Sequence, residues 1–240
     1  MTKVHYVLED QIAVITLDDG KMNTMNWEFF NEFNETLDRA LADNARVLIF
    51  TGRQGIFSAG LDLKLLPTQS LEEQIRFQKT FATTMMRLYV FPVPTIAAYA
   101  GHSIAGGAIL SYACDRFMAF DGPYKIQINE VANKMLIPGW ISCICRSSIP
   151  PQYWKEALLH SRAYTPREAY ERGIVDDLIA DKENVLDSAK AVARDLFKLD
   201  GPAYAATKKS MRRRDVDEAM SVFEKELVEW MLRTRKESVS

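Results

Sequence analysis

One carboxylate sits in unusual company. In YKIQINEVANKMLIPGW, residues 124–140, Glu130 lies amid apolar and amide residues and precedes Val131-Ala132. A carboxylate withdrawn from water loses solvation of its charged form. Its pKa rises, and it becomes a stronger base toward a carbon acid. The chain carries 32 acidic residues, and most glutamates are simply solvated. The placement of Glu130 points to general-base chemistry without establishing it.

Two further segments could supply backbone donors. In FSAGLDLK, residues 57–64, Ser58, Ala59 and Gly60 are small, so a ligand can approach the main chain closely. The pattern predicts a strand leading into a short helix from about Gly60 to Leu66. The first N–H groups of such a helix point outward with its dipole behind them, which suits a partly negative ligand oxygen. An ordinary strand-to-helix turn has the same pattern. In GHSIAGGAILSYACD, residues 101–115, Gly106 and Gly107 open a helix of Ala, Ile and Leu. Glycine within a helix costs about 1 kcal/mol relative to Ala, so a pair at the entry implies close backbone approach. Tight helix–sheet packing would explain it equally well. Two N–H donors converging on one oxygen would make an oxyanion hole, which stabilises charge developing on a carbonyl oxygen.

The elements that must position these groups follow from patterning. VHYVLEDQIAVITLDD gives two β-runs around a turn at Glu9-Asp10. Asn26 caps a helix from about Trp27 to Ala42, with an apolar stripe of Phe30, Phe33, Leu37 and Leu41. RVLIFT, residues 46–51, is a buried strand. Ser70 and Glu73 form a capping box for a long helix that Pro92 and Pro94 stop near Phe91. TIAAYAG (95–101) and RFMAFD (116–121) are strands. The runs VLIFTGRQGIFSAGLDL and TIAAYAGHSIAGGAIL repeat one plan: strand, glycine turn, small residues, helix. Thr165, Pro166 and Glu168 start a short helix that Gly173 ends, and IVDDLI (174–179) is a last strand. Asp215 and Glu218 begin a helix with a stripe of Val216, Met220, Phe223, Leu227 and Trp230, which must dock on the core or on another subunit.

Composition narrows the class. The chain has 240 residues, 48% hydrophobic and 26% charged, enough for a sizeable core and unlike a disordered chain. A net charge of −2 predicts no general attraction to nucleic acid or anionic membrane. Cys114, Cys143 and Cys145 lie in apolar segments and are odd in number, which favours buried thiols in a reducing compartment over disulfides or a metal site. No run approaches the ~18 apolar residues of a membrane span. MTKVHYVLEDQ has no apolar signal core, and the ending KESVS is not a peroxisomal address. The expected location is the cytoplasm.

Four segments in this order, VLIFTGRQGIFSAGLDLK, AGHSIAGGAILSYACDRFMA, IQINEVANKMLIPG and YTPREAYERGIVDDLI, resemble the crotonase (enoyl-CoA hydratase/isomerase) superfamily over roughly residues 10–180. The resemblance implies an α/β fold, a spiral of ββα turns with a C-terminal helical region that mediates trimerisation. Residues 1–190 would form the acyl-CoA-binding core. Residues 191–240 would form the helical region at the edge of the acyl site. It also implies that Leu61 and Gly106 supply the oxyanion-hole N–H groups and that Glu130 is the catalytic carboxylate. Ser58, Ala59, Leu61, Asp62 and Leu63 fall where the family's loop wraps coenzyme A, and Lys21 and Lys64 match lysines that approach its phosphates. Lys21 stands in GKMNTMN, one residue shorter than the usual pattern. Gly107, Ile109, Met135 and Trp140 are candidates for the acyl pocket. No metal and no permanently bound cofactor are expected; coenzyme A arrives as part of the acyl-CoA thioester substrate. The implied assembly is a homotrimer or a dimer of trimers, with no membrane association.

The departures select the chemistry. Hydratases of the family carry two catalytic glutamates, and Ile109 stands at the position of the first. Residues 131–140 hold no carboxylate, where dienoyl-CoA isomerases and haloaroyl-CoA dehalogenases place an essential aspartate. One carboxylate suffices to move a double bond from C3 to C2, taking a proton from C2 and returning it at C4. An apolar Ile109 would help exclude water. The resemblance is therefore to the single-glutamate Δ3,Δ2-enoyl-CoA isomerase branch, with a one-glutamate enoyl-CoA hydratase as the alternative. A non-catalytic CoA-ester- or RNA-binding homologue is a third possibility, raised by the basic run KKSMRRR (208–214). The slightly acidic chain lacks an aromatic-basic platform, which disfavours nucleic acid.

Overall fold

A computed structural model describes residues 2–65 and 68–237, the last four as backbone only. Strands β1 (Val4–Glu9) and β2 (Ile12–Leu17) form an antiparallel hairpin. Asp10 and Gln11 between them have φ of 50° and 64°, as a tight primed turn requires. After β3 (Thr24–Met25), Asn26 caps α1 (Trp27–Ala42) by accepting the Phe29 N–H. The buried face of α1 includes Phe29, Phe30, Phe33, Leu37 and Ala40. Leu41, expected on that stripe, is exposed; it stands in the last turn, where Ala40 meets the core instead.

Three strand–strand–helix turns follow, one more than the internal repeat suggests. They are β4 (Val47–Gly52) and β5 (Gly55–Ser58) leading through β6 (Gly60–Leu61) to α2 (Leu71–Tyr89); β7 (Thr95–Tyr99) and β8 (Gly101–Ile104) leading to α3 (Gly106–Ala113); and β9 (Arg116–Phe120) and β10 (Ile126–Gln127) leading to α4 (Gly139–Ser148). In each turn the first strand joins a six-stranded sheet and the second a three-stranded sheet. Successive turns stack in parallel, β4 on β7 on β9 and β5 on β8 on β10. This is the expected spiral. At one corner Gly101 lies so close to its neighbour that a β-carbon there would sit 2.5 Å from the Ile56 nitrogen. The capping box of Ser70 and Glu73 starts α2 as expected.

Alternation along the strands divides the core. Ala13, Ile15, Leu48, Phe50, Ala97 and Tyr99 face the interior of the spiral. Ile12, Val14, Val47, Ile49, Ile96 and Ala98 face the opposite side. There α6 (Val185–Leu196) covers them with Val185, Ala189 and Ala193. Between α4 and α6 lie α5 (Pro166–Glu171), started by the Thr165–Glu168 capping box, and β11 (Asp177–Ile179), shorter than the run 174–179 because Ile174 and Val175 are spent in the core before it.

Two expectations are corrected. Residues 60–65 form a two-residue strand and a turn instead of a helix; Leu66 lies outside the described residues. Asp215 does not start a helix. It stands inside α7 (Gly201–Glu237), a single 37-residue helix. Good helix formers continue through the basic run, and two of its cations are held internally. Lys208 Nζ lies 2.7 Å and Arg212 Nη1 2.8 Å from the Asp115 carboxylate, which also accepts the Thr95 N–H. Val216, Ala219, Phe223 and Leu227 then pack the helix onto the core. Residues 238–240 of the KESVS ending lie outside the described residues.

Candidate active site

Three short segments converge. The loop before β3 is pegged by Asn23, whose side chain donates to Leu17 O (2.8 Å) and Phe57 O (3.0 Å). Ser58 adds a second peg. Its buried hydroxyl donates to Asn23 O (2.7 Å) and accepts the Gly60 N–H (3.1 Å). These bonds set β3 beside β6, where the Asp62 N–H donates to Met25 O (3.0 Å). Successive N–H groups of a strand face opposite edges, so the Leu61 N–H points away from β3. The Leu61 amide, expected at the start of a helix, thus stands in a short strand pairing.

Gly60 has φ +82°, and a β-carbon there would lie 2.7 Å from the Gly106 nitrogen. The two loops therefore abut at the Gly106 amide. Gly106 is the first residue of α3, so its N–H is among the donors that the helix itself leaves unpaired. Ala105 before it has φ 49° and ψ −117°, far from the left-handed helical basin. Such strain costs on the order of 1–3 kcal/mol and concentrates at functional sites. Gly107 serves packing, because a β-carbon there would meet Ser58 O at 2.5 Å.

Glu130 follows β10 at the entry to a 3-10 turn, Val131–Asn133. Its carbonyl accepts the N–H groups of Asn133 (3.0 Å) and Met135 (2.8 Å), which fold the loop back on itself. Ser161 steadies the loop by accepting the Ala132 N–H and through the Gln127 amide on its carbonyl. The side chain is only 5% exposed, and its Oε2 has no hydrogen-bond partner. Burial pushes the carboxyl up to about 7, against hydrogen bonds from its own N–H and that of Asn129.

Glu130 and Leu61 line one cavity of about 260 Å³. Phe81 of α2, Ile141 of α4 and Phe223 and Leu227 of α7 supply apolar walls, and Gln74 and Gln78 a polar edge. Glu130 is the sole carboxylate among the described residues lining it. Of the acyl-pocket candidates, Met135 lines the cavity; Gly107, Ile109 and Trp140 do not. Ile109 is fully buried in the core. Trp140 stands one layer back, edge-on to Phe81 with ring centroids 4.9 Å apart. Conversely, Phe223, Leu227 and Trp230, more readily taken from spacing as core or interface, form its wall. Their register shows an apolar stripe, but only the return of α7 across α2 and α4 shows what the stripe faces.

Of the residues expected to meet coenzyme A, Ser58 is buried and Ala59, Leu61 and Asp62 are half-buried, Leu61 alone of them lining the cavity, while Leu63 and Lys64 are exposed. Lys21 is exposed too, and its carbonyl accepts a hydrogen bond from Arg53. His102 is structural, its Nδ1 accepting the Lys125 N–H at 3.0 Å. Among the described residues no cluster of three His, Cys, Asp or Glu could hold a metal, and no helix is long and apolar enough to cross a membrane. All three cysteines are unpaired.

Comparison with known proteins bears on this arrangement. Residues 8–238 match the family model described as enoyl-CoA hydratase/isomerase. A Rattus norvegicus protein named mitochondrial enoyl-CoA delta isomerase 1 is 29% identical over 87% of this chain and 73% of its own. A Thermus thermophilus protein named putative enoyl-CoA hydratase is 32% identical over 80% of this chain and 77% of its own. The crystal structure of human mitochondrial delta3-delta2-enoyl-CoA isomerase superposes with a TM-score of 0.92 at 26% identity, covering 99% of this chain and 93% of that one.

Proposed function

We propose, from the premise that the chain belongs to the enoyl-CoA hydratase/isomerase family and processes acyl-CoA thioesters, that its reaction is the conversion of a 3-enoyl-CoA to the 2-enoyl-CoA. One observation carries the choice: Glu130 is the sole carboxylate among the described residues of an otherwise largely apolar cavity.

The substrate's thioester oxygen is held by the N–H groups of Leu61 and Gly106. Ionised Glu130 takes a proton from C2, and the electron pair moves onto the thioester to give a dienolate. Its negative charge grows on the oxygen facing the two amides, where fixed donors lower the barrier without reorganising. The protonated carboxyl then delivers the proton to C4, leaving the double bond between C2 and C3. One group acting twice needs a pKa between those of a free carboxylic acid and a spent base, and a value of about 7 suits both steps. Apolar walls from Phe81, Ile141 and Phe223 keep water from the intermediate. Ile109 contributes as core packing behind the site instead of as lining.

A second reading has a specific basis, the Thermus thermophilus relative named as a putative hydratase. In it Glu130 would activate water for addition to a 2-enoyl-CoA. Turnover of 3-enoyl-CoA and 2-enoyl-CoA of equal chain length, measured side by side, separates the two. Isomerisation should have the higher kcat/KM by at least tenfold. A higher value for hydration rejects the isomerase reading.

A further inference from the structure

The cavity holding Glu130 does not end at its own walls. Lys134, Met135, Leu136 and Trp230 line both it and a second, outer groove of about 680 Å³. The outer groove runs between the loop after Glu130 and the segment Trp154–Leu159. Leu158 and Leu159 stand there in a π-helical turn, Lys155–Leu159. Its surface is mainly apolar, and two of its residues expose large aliphatic side chains, Val131 at 42% and Leu159 at 63%. The cations of this groove, Lys134, Arg146 and Lys155, carry apolar stems that can lie along such a surface while their charges stay in water.

Capacity decides what the groove is for. A methylene takes up about the volume of a water molecule, roughly 30 Å³, so the inner 260 Å³ holds roughly nine such groups. The thioester carbon and the reacting C2–C4 occupy about half of them. An acyl chain longer than about nine carbons exceeds that space, and Met135 and Leu136, which line both spaces, give it an apolar way into the outer groove.

We propose that the outer groove is the binding site for the distal methylenes of long-chain acyl-CoA substrates. This selects a substrate class, twelve carbons or more, and makes Met135 and Leu159 determinants of chain length. The proposal rests on the assignment of the Glu130 cavity as the acyl site. Each methylene removed from water contributes about 0.8 kcal/mol at most, close to fourfold in affinity. Partial exposure of the groove reduces that figure.

The experiment compares 3-enoyl-CoA esters of six and twelve carbons with the intact protein and with Leu159→Glu and Met135→Trp. In parallel, calorimetric titration with saturated hexanoyl-CoA and dodecanoyl-CoA reads the groove without requiring any particular reaction. The expected result is at least tenfold tighter binding and higher kcat/KM for the twelve-carbon ligand. Leu159→Glu should remove at least fivefold of that advantage and leave the six-carbon substrate within twofold. Met135→Trp, which narrows the exit but also touches the inner cavity, should reduce the twelve-carbon advantage while lowering turnover of both lengths. Equal binding of the two saturated esters overturns the proposal. So does a Leu159→Glu variant that loses activity on both lengths and changes mass in solution, since the groove would then be covered by a second copy of the chain. Length-dependent binding without isomerisation would instead sink the reaction assigned above and leave this inference standing.

Discussion

A β-carbon on Gly60 would sit 2.7 Å from the backbone nitrogen of Gly106, so the strand that presents the Leu61 amide and the helix that presents the Gly106 amide meet where no side chain fits. The two amides belong to different turns of the spiral. They are held together by this contact, by the β5–β8 pairing, by the close approach of Gly107 to Ser58 and by the peg that Ser58 forms between Asn23 and Gly60.

Gly60→Ala should therefore separate the donors. Its φ of +82° costs an L-residue about 1–2 kcal/mol, and the clash displaces the Gly106 amide. Loss of one oxyanion donor typically lowers kcat by about 10²–10³, and a drop of about 100-fold with KM little changed is expected. Gly55→Ala is the control: φ is +89°, but its β-carbon would have nothing within 4 Å. Steady-state kinetics and thermal melts of both variants check this. Both variants bear the φ cost and Gly60→Ala the clash as well, so it should be the less stable of the two, with kcat falling in it alone; equal kcat in the two would refute the contact between the amides.

The pH dependence follows from the burial of Glu130. The base must be ionised, and its carboxyl is raised to about 7. kcat/KM should fall about tenfold per pH unit below that value and level off above it. A limb centred near 4.5 would mean that an exposed carboxylate carries the reaction.

Stability should move in the opposite sense. The folded carboxyl holds its proton up to about pH 7, whereas the unfolded chain releases it near 4.5. Protonated Glu130 contributes its full stability below pH 4.5, and that contribution is lost as pH rises through 7. Gln at this position does not titrate. Glu130→Gln should match the parent protein near pH 4.5 more closely than at pH 8, where it should gain on the order of 2–3 kcal/mol relative to it. Denaturant titrations at the two pH values read the change. A difference that does not depend on pH would contradict the burial of the charge.

The anchor of α7 offers an independent test of the wall it supplies. Asp115→Ala leaves Lys208, 5% exposed, without its carboxylate. Removing one partner of a buried pair costs about 3–5 kcal/mol. Burial already lowers the Lys208 pKa, against the opposing pull of Asp115, so the orphaned amine should lose its proton more easily still. Asp115→Ala with Lys208→Met should recover part of the loss. Chemical denaturation of the single and double variants measures both; an unchanged midpoint in Asp115→Ala would remove the anchor from the account.

Local chemistry was legible in advance where it is written within a few residues. The Asn26 cap, the Ser70–Glu73 box, the helix start at Thr165, Pro166 and Glu168 and the buried strand at RVLIFT all have this form. The glycine pair and the lone Glu130 marked the site segments for the same reason. What escaped is non-local. Leu61 is aimed by a two-residue pairing with Met25, which carries no periodicity. Phe223 and Leu227 face Glu130 only because α7 returns across a chain separation of about ninety residues. Lys208 and Arg212 read only as part of the basic run 208–214, because their partner, Asp115, is far away in the chain.

The most direct measurement is single-turnover isomerisation of a 3-enoyl-CoA by the parent protein and by Glu130→Gln, with acyl-CoA binding measured on both. The account predicts a loss of at least 10³-fold in the chemical step with affinity within a few-fold. A Glu130→Gln protein that isomerises at the parental rate would contradict it.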